Sequence, residues 1–181
     1  MKSSVPFPRS YCVVPGKFLA GYYPGSRDSA TAERKLKNLL EHGVRQIVNL
    51  MEREEKNFRG ERFVPYEDRL QTVAGETDIP IKVVHMPIRD MEIPPVEFMV
   101  SILDEIDQAI ENNPAVYVHC WAGRGRTGTV VGCYLARHGL AVGEAALNLL
   151  AELRQNDPMS YLSSPENEIQ AEFVCNWPQG R

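Results

Sequence analysis

The sequence predicts an α/β fold with a mainly parallel central sheet flanked by helices. Strand and helix patterns alternate from residue 17 to residue 140, and only helical patterns follow. A glycine-bearing loop, HCWAGRGRTG (119–128), also stands between a strand-like and a helix-like segment. Sheets of this kind bind ligands at loops that leave the carboxyl end of a central strand.

The elements follow in chain order. KFLAG (17–21) reads as a short strand, and SRDSATAERKLKNLLEHG (26–43) as a helix with Leu36, Leu39 and Leu40 inward and Gly43 as its stop. VRQIVNLM (44–51) has the apolar density of a buried strand. EREEKNFRGERFVPYEDRL (52–70) carries dense mixed charge around Gly60 and Pro65; it is expected to be mostly solvated loop, with a short helix at its end. IPIKVVHMPI (79–88) contains another strand, and PVEFMVSILDEIDQAIENN (95–113) is an amphipathic helix with Met99, Leu103, Ile106 and Ile110 on one stripe. AVYVH (115–119) alternates as a strand does, and RTGTVVGCYLARHG (126–139) is a helix closed by Gly139. VGEAALNLLAELRQ (142–155) and SPENEIQAEFVCNW (164–177) are helical in pattern, the second with Ser164 as N-cap and Pro165 at its first helical position.

At 181 residues, 43% hydrophobic and 24% charged, the chain suits one soluble domain over 1–181. A net charge of −4 supplies no global basic field for nucleic acid or an anionic membrane, so any attraction for phosphate must be local. The opening MKSSVPFPRSYCVVPG lacks the apolar core of a signal peptide, and no apolar run approaches the length of a membrane span. Cys12, Cys120, Cys133 and Cys175 are scattered without CxxC pairs, which speaks against zinc and against a disulfide scaffold. No metal and no cofactor are expected, and a reducing cytoplasm fits best; the oligomeric state stays open.

The loop holds the chemistry. Cys120 sits on a strand-to-helix turn, where loop amides and the first helical amides can converge on one point with the helix dipole behind it. Gly123, Gly125 and Gly128 let the backbone curl close to a ligand. Arg126 adds a planar fork matched to two oxygens of a phosphate or carboxylate. The same surroundings favour thiolate over thiol at Cys120, so the loop can bind an oxyanion and attack it. Thr127 can offer a hydroxyl to the sulfur when a phosphoenzyme breaks down. A buried structural cysteine is the usual fate of a lone Cys, but it does not account for His, Cys, three Gly, Arg and Thr together.

HCWAGRGRTG resembles the phosphate-binding loop of the cysteine-dependent protein tyrosine and dual-specificity phosphatases: His-Cys, five residues, Arg, then Ser or Thr. The resemblance implies their α/β fold, a cysteinyl-phosphate intermediate, no metal, and substrate phosphate held by Trp121, Ala122, Gly123, Arg124, Gly125 and Arg126. Low-molecular-weight phosphatases carry a similar loop near the N-terminus, whereas Cys120 lies two thirds of the way along, and the run ending Arg126-Thr127-Gly128 before a helix is less like the cysteine loop of rhodanese-like sulfurtransferases. In the resembled family a loop about thirty residues before the cysteine supplies an aspartic acid that protonates the leaving oxygen. Asp90, in MPIRDMEIPP (86–95), holds that place, with Glu92 in reserve. SPENEIQAEFV (164–174) resembles a late segment whose glutamine places the hydrolytic water, which would be Gln170. His119 is expected to orient the loop through hydrogen bonds, Trp121 to cover its underside, and Arg124 to face substrate.

The expected activity is phosphomonoester hydrolysis of the compact dual-specificity kind, on a phosphorylated protein or a small phosphomonoester. The alternatives are a phosphoinositide or inositol-phosphate phosphatase and, of a different class, a non-catalytic phosphate-binding module. The physiological substrate and pathway stay open.

Overall fold

The computed structural model describes residues 5–76, 78–112 and 115–181. Its elements run β1 (Ser10–Val14), β2 (Phe18–Gly21), α1 (Ser29–Glu41), β3 (Val44–Asn49), α2 (Glu67–Gly75), β4 (Lys82–His85), α3 (Val96–Glu111), β5 (Ala115–His119), α4 (Gly125–Arg137), α5 (Glu144–Leu153) and α6 (Glu168–Cys175). The five strands form one sheet in the order β1-β2-β5-β3-β4. The β1–β2 pair is antiparallel and the other three pairings are parallel, so the sheet is mainly parallel, as the alternation of patterns predicts.

β5 lies between β2 and β3, with Gly21 and Asn49 both paired to His119 at its carboxyl end. All five of its residues are buried, so both faces of the sheet are covered there. α1 packs on β3 and α2 on α1; α3 and α4 pack on β5, and α5 on β1. The core is continuous from Phe7 and Phe18 through Ile47 and Val116 to Leu103 and Leu150.

Local chemistry sets the helix ends. The Asp28 carboxylate caps α1 by accepting from the Thr31 amide at 2.8 Å. α1 and α4 both finish on a glycine in the left-handed region, Gly43 (φ 81°) and Gly139 (φ 64°). At the second, the Gly139 amide donates to Ala136 O and the Leu140 amide to Leu135 O, the two bonds of a Schellman stop. Leu36, Leu39 and Leu40 face inward on α1, and Met99, Leu103 and Ile106 on α3, while Ile110 is only half-buried.

Three expectations need correction. SYCVV (10–14) forms β1, an edge strand made by pairing with β2; the flanking Pro6, Pro8 and Pro15 mask it as a strand in the sequence. The short helix expected near residue 70 is α2, which begins at Glu67 and runs on to Gly75. The cap of α6 is Asn167, whose side chain accepts from the Gln170 amide at 3.0 Å, while the Ser164 hydroxyl donates to Arg124 O at 2.8 Å. Ser164 is thus spent on the loop rather than on the helix, and Pro165 precedes the first helical residue by three positions. The expected end of α3 at 113, and residues 1–4 of the N-terminal stretch, lie outside the described residues.

α4 and α6 are held in contact at Gly132, where an added Cβ would stand 2.6 Å from Val174 Cγ1. Val174 is fully buried and β-branched, so it cannot rotate away. Gly132→Val is therefore expected to lower stability by about 2 kcal/mol through overpacking, read as a reduced urea midpoint.

Candidate active site

The loop from Cys120 to Arg124 leaves the carboxyl end of β5 and runs into the N-terminus of α4. Its carbonyls are drawn outward one by one. His119 O accepts from the Leu50 amide at 2.9 Å, Trp121 O from the Tyr23 amide at 3.1 Å, and Ala122 O from Arg9 Nη2 at 2.8 Å. Arg124 O takes both Ser164 Oγ and the Gly128 amide. In a trans peptide the N–H points opposite to the C=O, so each outward carbonyl turns the following amide toward the inside of the loop. The result is a concave ring of donors at a helix N-terminus, an arrangement that binds anions. Gly123 permits the turn: its φ is 70°, and an added Cβ would lie 2.6 Å from Gly21 O.

Arg126 is 1% exposed and is held from two sides. Both Glu55 oxygens accept from it, Oε2 from Nη1 at 2.6 Å and Oε1 from Nη2 at 2.7 Å. Nη1 also donates to Ile88 O at 3.0 Å, and Nη2 lies 2.9 Å from Asp90 Oδ1. Its Nε is buried and bonds to nothing among the described residues. Burial pulls the Arg126 pKa down, but the Glu55 hydrogen bonds and the charges of Cys120, Glu55 and Asp90 outweigh it and hold the value above the ordinary range. Glu55 comes from the charge-dense 52–70 stretch, which is therefore not solvated surface throughout. Its carboxylate is 7% exposed, and removing one partner of such a buried pair typically costs about 3–5 kcal/mol.

Asp90 and Glu92, two residues apart, go different ways. The Asp90 carboxylate lines the loop's cavity and faces Arg126, whereas Glu92 pairs outside with Arg89 at 3.3 Å. The strand-to-helix segment carrying them is fixed by the start of α6: Asn167 Nδ2 donates to Met91 O at 2.9 Å, and Gln170 Nε2 to Glu92 O at 3.3 Å. Gln170 is fully buried, and its Oε1 accepts from the Glu166 amide at 3.1 Å. It lies against the loop, since a Cβ on Gly125 would stand 3.1 Å from that oxygen, but its amide is already engaged and it does not line the cavity.

The cavity has a volume of about 430 Å³ and is lined by Cys120, Trp121, Ala122, Arg124, Gly125 and Arg126 of the loop, with Asp90, Met91, Phe58 and Glu166 around them. Trp121 forms its wall rather than the loop's underside, its ring 5.0 Å from Phe58 and 5.4 Å from Phe63. Arg124 lines it too, with its guanidinium paired to Glu166. The Thr127 hydroxyl is buried and has no hydrogen-bond partner among the described residues. Among the described residues no group of three or more His, Cys, Asp or Glu side chains is placed to hold a metal ion.

Behind the loop, His119 is buried with Nδ1 3.1 Å from Cys120 O and Nε2 2.7 Å from Tyr66 Oη. A carbonyl can only accept, so Nδ1 carries the proton and Nε2 accepts from the tyrosine. Burial pushes the His119 pKa down to about 3, opposed by the Cys120 carbonyl and reinforced by the Arg126 charge, so the ring is neutral.

A protein-family model described as "Tc-R-P: Polymorphic toxin system, DSP-PTPase phosphatase" matches residues 23–140. The chain belongs to that family, within the dual-specificity group of the cysteine-dependent protein tyrosine phosphatase superfamily. It is 54% identical over 81 residues to mouse dual specificity protein phosphatase CDC14B, covering 44% of this chain and 16% of that protein. It is 35% identical over 74 residues to phosphatidylinositol 3,4,5-trisphosphate 3-phosphatase ptn1 of Schizosaccharomyces pombe, covering 40% of this chain and 21% of that one. The chain thus spans about a fifth or less of the length of these two relatives. The structure described as "Crystal structure of Tk-PTP in the active form" superposes with a TM-score of 0.66 at 25% identity, over 93% of this chain and 95% of the other.

Glu55, Glu166 and Phe58 are site residues that sequence reasoning misses. Each stands more than forty positions from the loop residue it touches, and nothing local marks it for that contact.

The neutral His119 sets a pH dependence. Its folded pKa lies below the ordinary 6.5, so the unfolded chain binds more protons between about 6.5 and 3. The His119 contribution is therefore fully present above pH 6.5 and is lost as pH falls toward 3. Urea unfolding between pH 6 and 4 should show His119→Gln losing stability less steeply than wild type, by about 1.4 kcal/mol per pH unit.

Proposed function

We propose that the protein hydrolyses phosphate monoesters through a cysteinyl-phosphate, with a phosphorylated protein or a small phosphomonoester as substrate. The observation that supports this reading is the set of inward-turned amides of 121–123 and 125 around Cys120, closed by the Arg126 fork and facing Asp90 in one cavity. Family membership supports it.

In the proposed sequence, phosphate oxygens take the loop amides and the free Nε–H of Arg126. Cys120 Sγ attacks phosphorus as a thiolate, the S–P bond forms as the P–O bond breaks, and Asp90 gives its proton to the leaving oxygen. Water then attacks phosphorus, its proton passes to the Asp90 carboxylate, and the S–P bond breaks with the thiolate as leaving group. The unpartnered Thr127 hydroxyl is available to that sulfur. Trp121 and Phe58 give the substrate group an aromatic wall. A phosphoinositide is the second substrate class, favoured by the match to the fission yeast enzyme named for that activity.

Two variants test the sequence of steps. Cys120→Ser should abolish turnover of p-nitrophenyl phosphate while phosphate analogues still bind; turnover near wild type overturns the covalent route. Asp90→Asn should lower kcat on a phosphoserine or phosphothreonine ester by roughly 10²- to 10⁴-fold, and less on p-nitrophenyl phosphate, whose leaving group needs little protonation. Glu92→Gln, paired outside the cavity, should show no such dependence on the leaving group.

A further inference from the structure

Two arginines in the cavity come from outside the span 23–140 that the family model matches: Arg9, just before β1, and Arg154, at the end of α5. Neither has a part in the proposed phosphoryl transfer. Arg9 stands out by its charge. Arg124 is paired to Glu166, Arg126 to Glu55 and Asp90, and Arg154 to Asp157 at 3.3 Å, whereas Arg9 has no carboxylate partner among the described residues.

Arg9 is nevertheless firmly placed. Its backbone takes φ 67°, a left-handed conformation uncommon for a residue with a β-carbon. Its guanidinium lies over the Tyr22 ring at 4.6 Å and donates from Nη2 to Ala122 O at 2.8 Å. Its Nε is buried without an acceptor. Arg154 repeats the pattern: the side chain is 3% exposed, Nη1 donates to Leu162 O at 3.2 Å, Nη2 meets Asp157, and Nε is buried and unpartnered. An unpaired buried donor is costly, so two guanidinium Nε–H groups buried in side chains that line one cavity favour an acceptor brought within their reach. The Tyr11 hydroxyl, buried and unpartnered, is raised in pKa chiefly by burial, with Arg154 pulling down and Cys120 pushing up, so Arg154 and the nucleophile lie within electrostatic reach of the same group.

From this geometry we infer that Arg9, with Arg154 beside it, forms a second anion subsite next to the loop, and that the preferred substrates carry a second phosphate close to the one that is cleaved. This deepens the phosphatase reading and rests on it. Spacing narrows the class. Ala122 is two residues from Cys120, at most about 7 Å of backbone, and Arg9 hydrogen-bonds that residue. Phosphates on neighbouring carbons of one small ring suit this reach. Adjacent phosphoresidues of an extended peptide point to opposite sides and do not.

The probes are myo-inositol 4,5-bisphosphate and myo-inositol 4-monophosphate, titrated by calorimetry into the Cys120→Ser protein, which leaves both intact. A short-chain phosphatidylinositol 4,5-bisphosphate forms a further arm, and tighter binding there than by the free headgroup identifies a lipid as the source. The expected result is at least about tenfold tighter binding of the bisphosphate than of the monophosphate. Arg9→Gln in the same background should bring that ratio within about twofold, and Arg9→Lys, which keeps the charge, should preserve most of it. Equal binding of the two probes by the Cys120→Ser protein, or a ratio that survives Arg9→Gln, overturns the subsite and leaves the phosphate loop standing. Failure of the monophosphate and the bisphosphate alike to bind overturns both.

Discussion

From the end of the central strand to the start of α4, the carbonyls of His119, Trp121, Ala122 and Arg124 turn away from the loop's centre, and the rest of the molecule supplies the partners that make this possible. Those partners are an amide at the end of β2's connection, an amide after β3, the Arg9 side chain before β1, and Ser164 ahead of α6. None belongs to the loop. An anion-binding ring of this kind is stable without its anion only if every outward carbonyl is satisfied, because an unmade buried hydrogen bond costs more than a made one contributes. The sheet order follows the same need: β5 has neighbours on both sides, so acceptors from the loop find donors on both sides.

The buried guanidinium imposes a second requirement. Arg126 sits almost wholly out of water, and a lone charge there is untenable. Glu55 answers it with both oxygens. The charged segment after β3 is thus anchored to the loop by a buried ion pair, with Phe58 of the same segment reaching over Trp121 at the cavity mouth. Likewise, α6 does more than close the fold, since Asn167 and Gln170 at its start fix the segment that carries Asp90.

Legibility in the sequence divides along distance. Cys120, Arg126 and Thr127 are readable because their chemistry is packed into ten consecutive residues between a strand and a helix. The parallel sheet is readable because buried strands and amphipathic helices leave strong periodic patterns in 26–51 and 95–139. Glu55, Glu166 and Arg9 are not, because what selects them is a partner far along the chain, which no local pattern announces. β1 is hidden for a related reason: an edge strand owes its existence to the one strand beside it, and proline on either side hides even that.

The contact between Asp90 and Arg126 has a further meaning. The guanidinium already has a resident counter-ion at Nη2, and a phosphate that takes Nη2 as well as the free Nε–H must displace Asp90 from it. Anion binding at this fork is an exchange. Every visiting anion is weakened by about the same margin, the product of a reaction included, so the resident carboxylate helps to evict what the ring of amides holds. On the proposed chemistry, the group that hands a proton to the departing oxygen is also the one that clears the site for the next turnover.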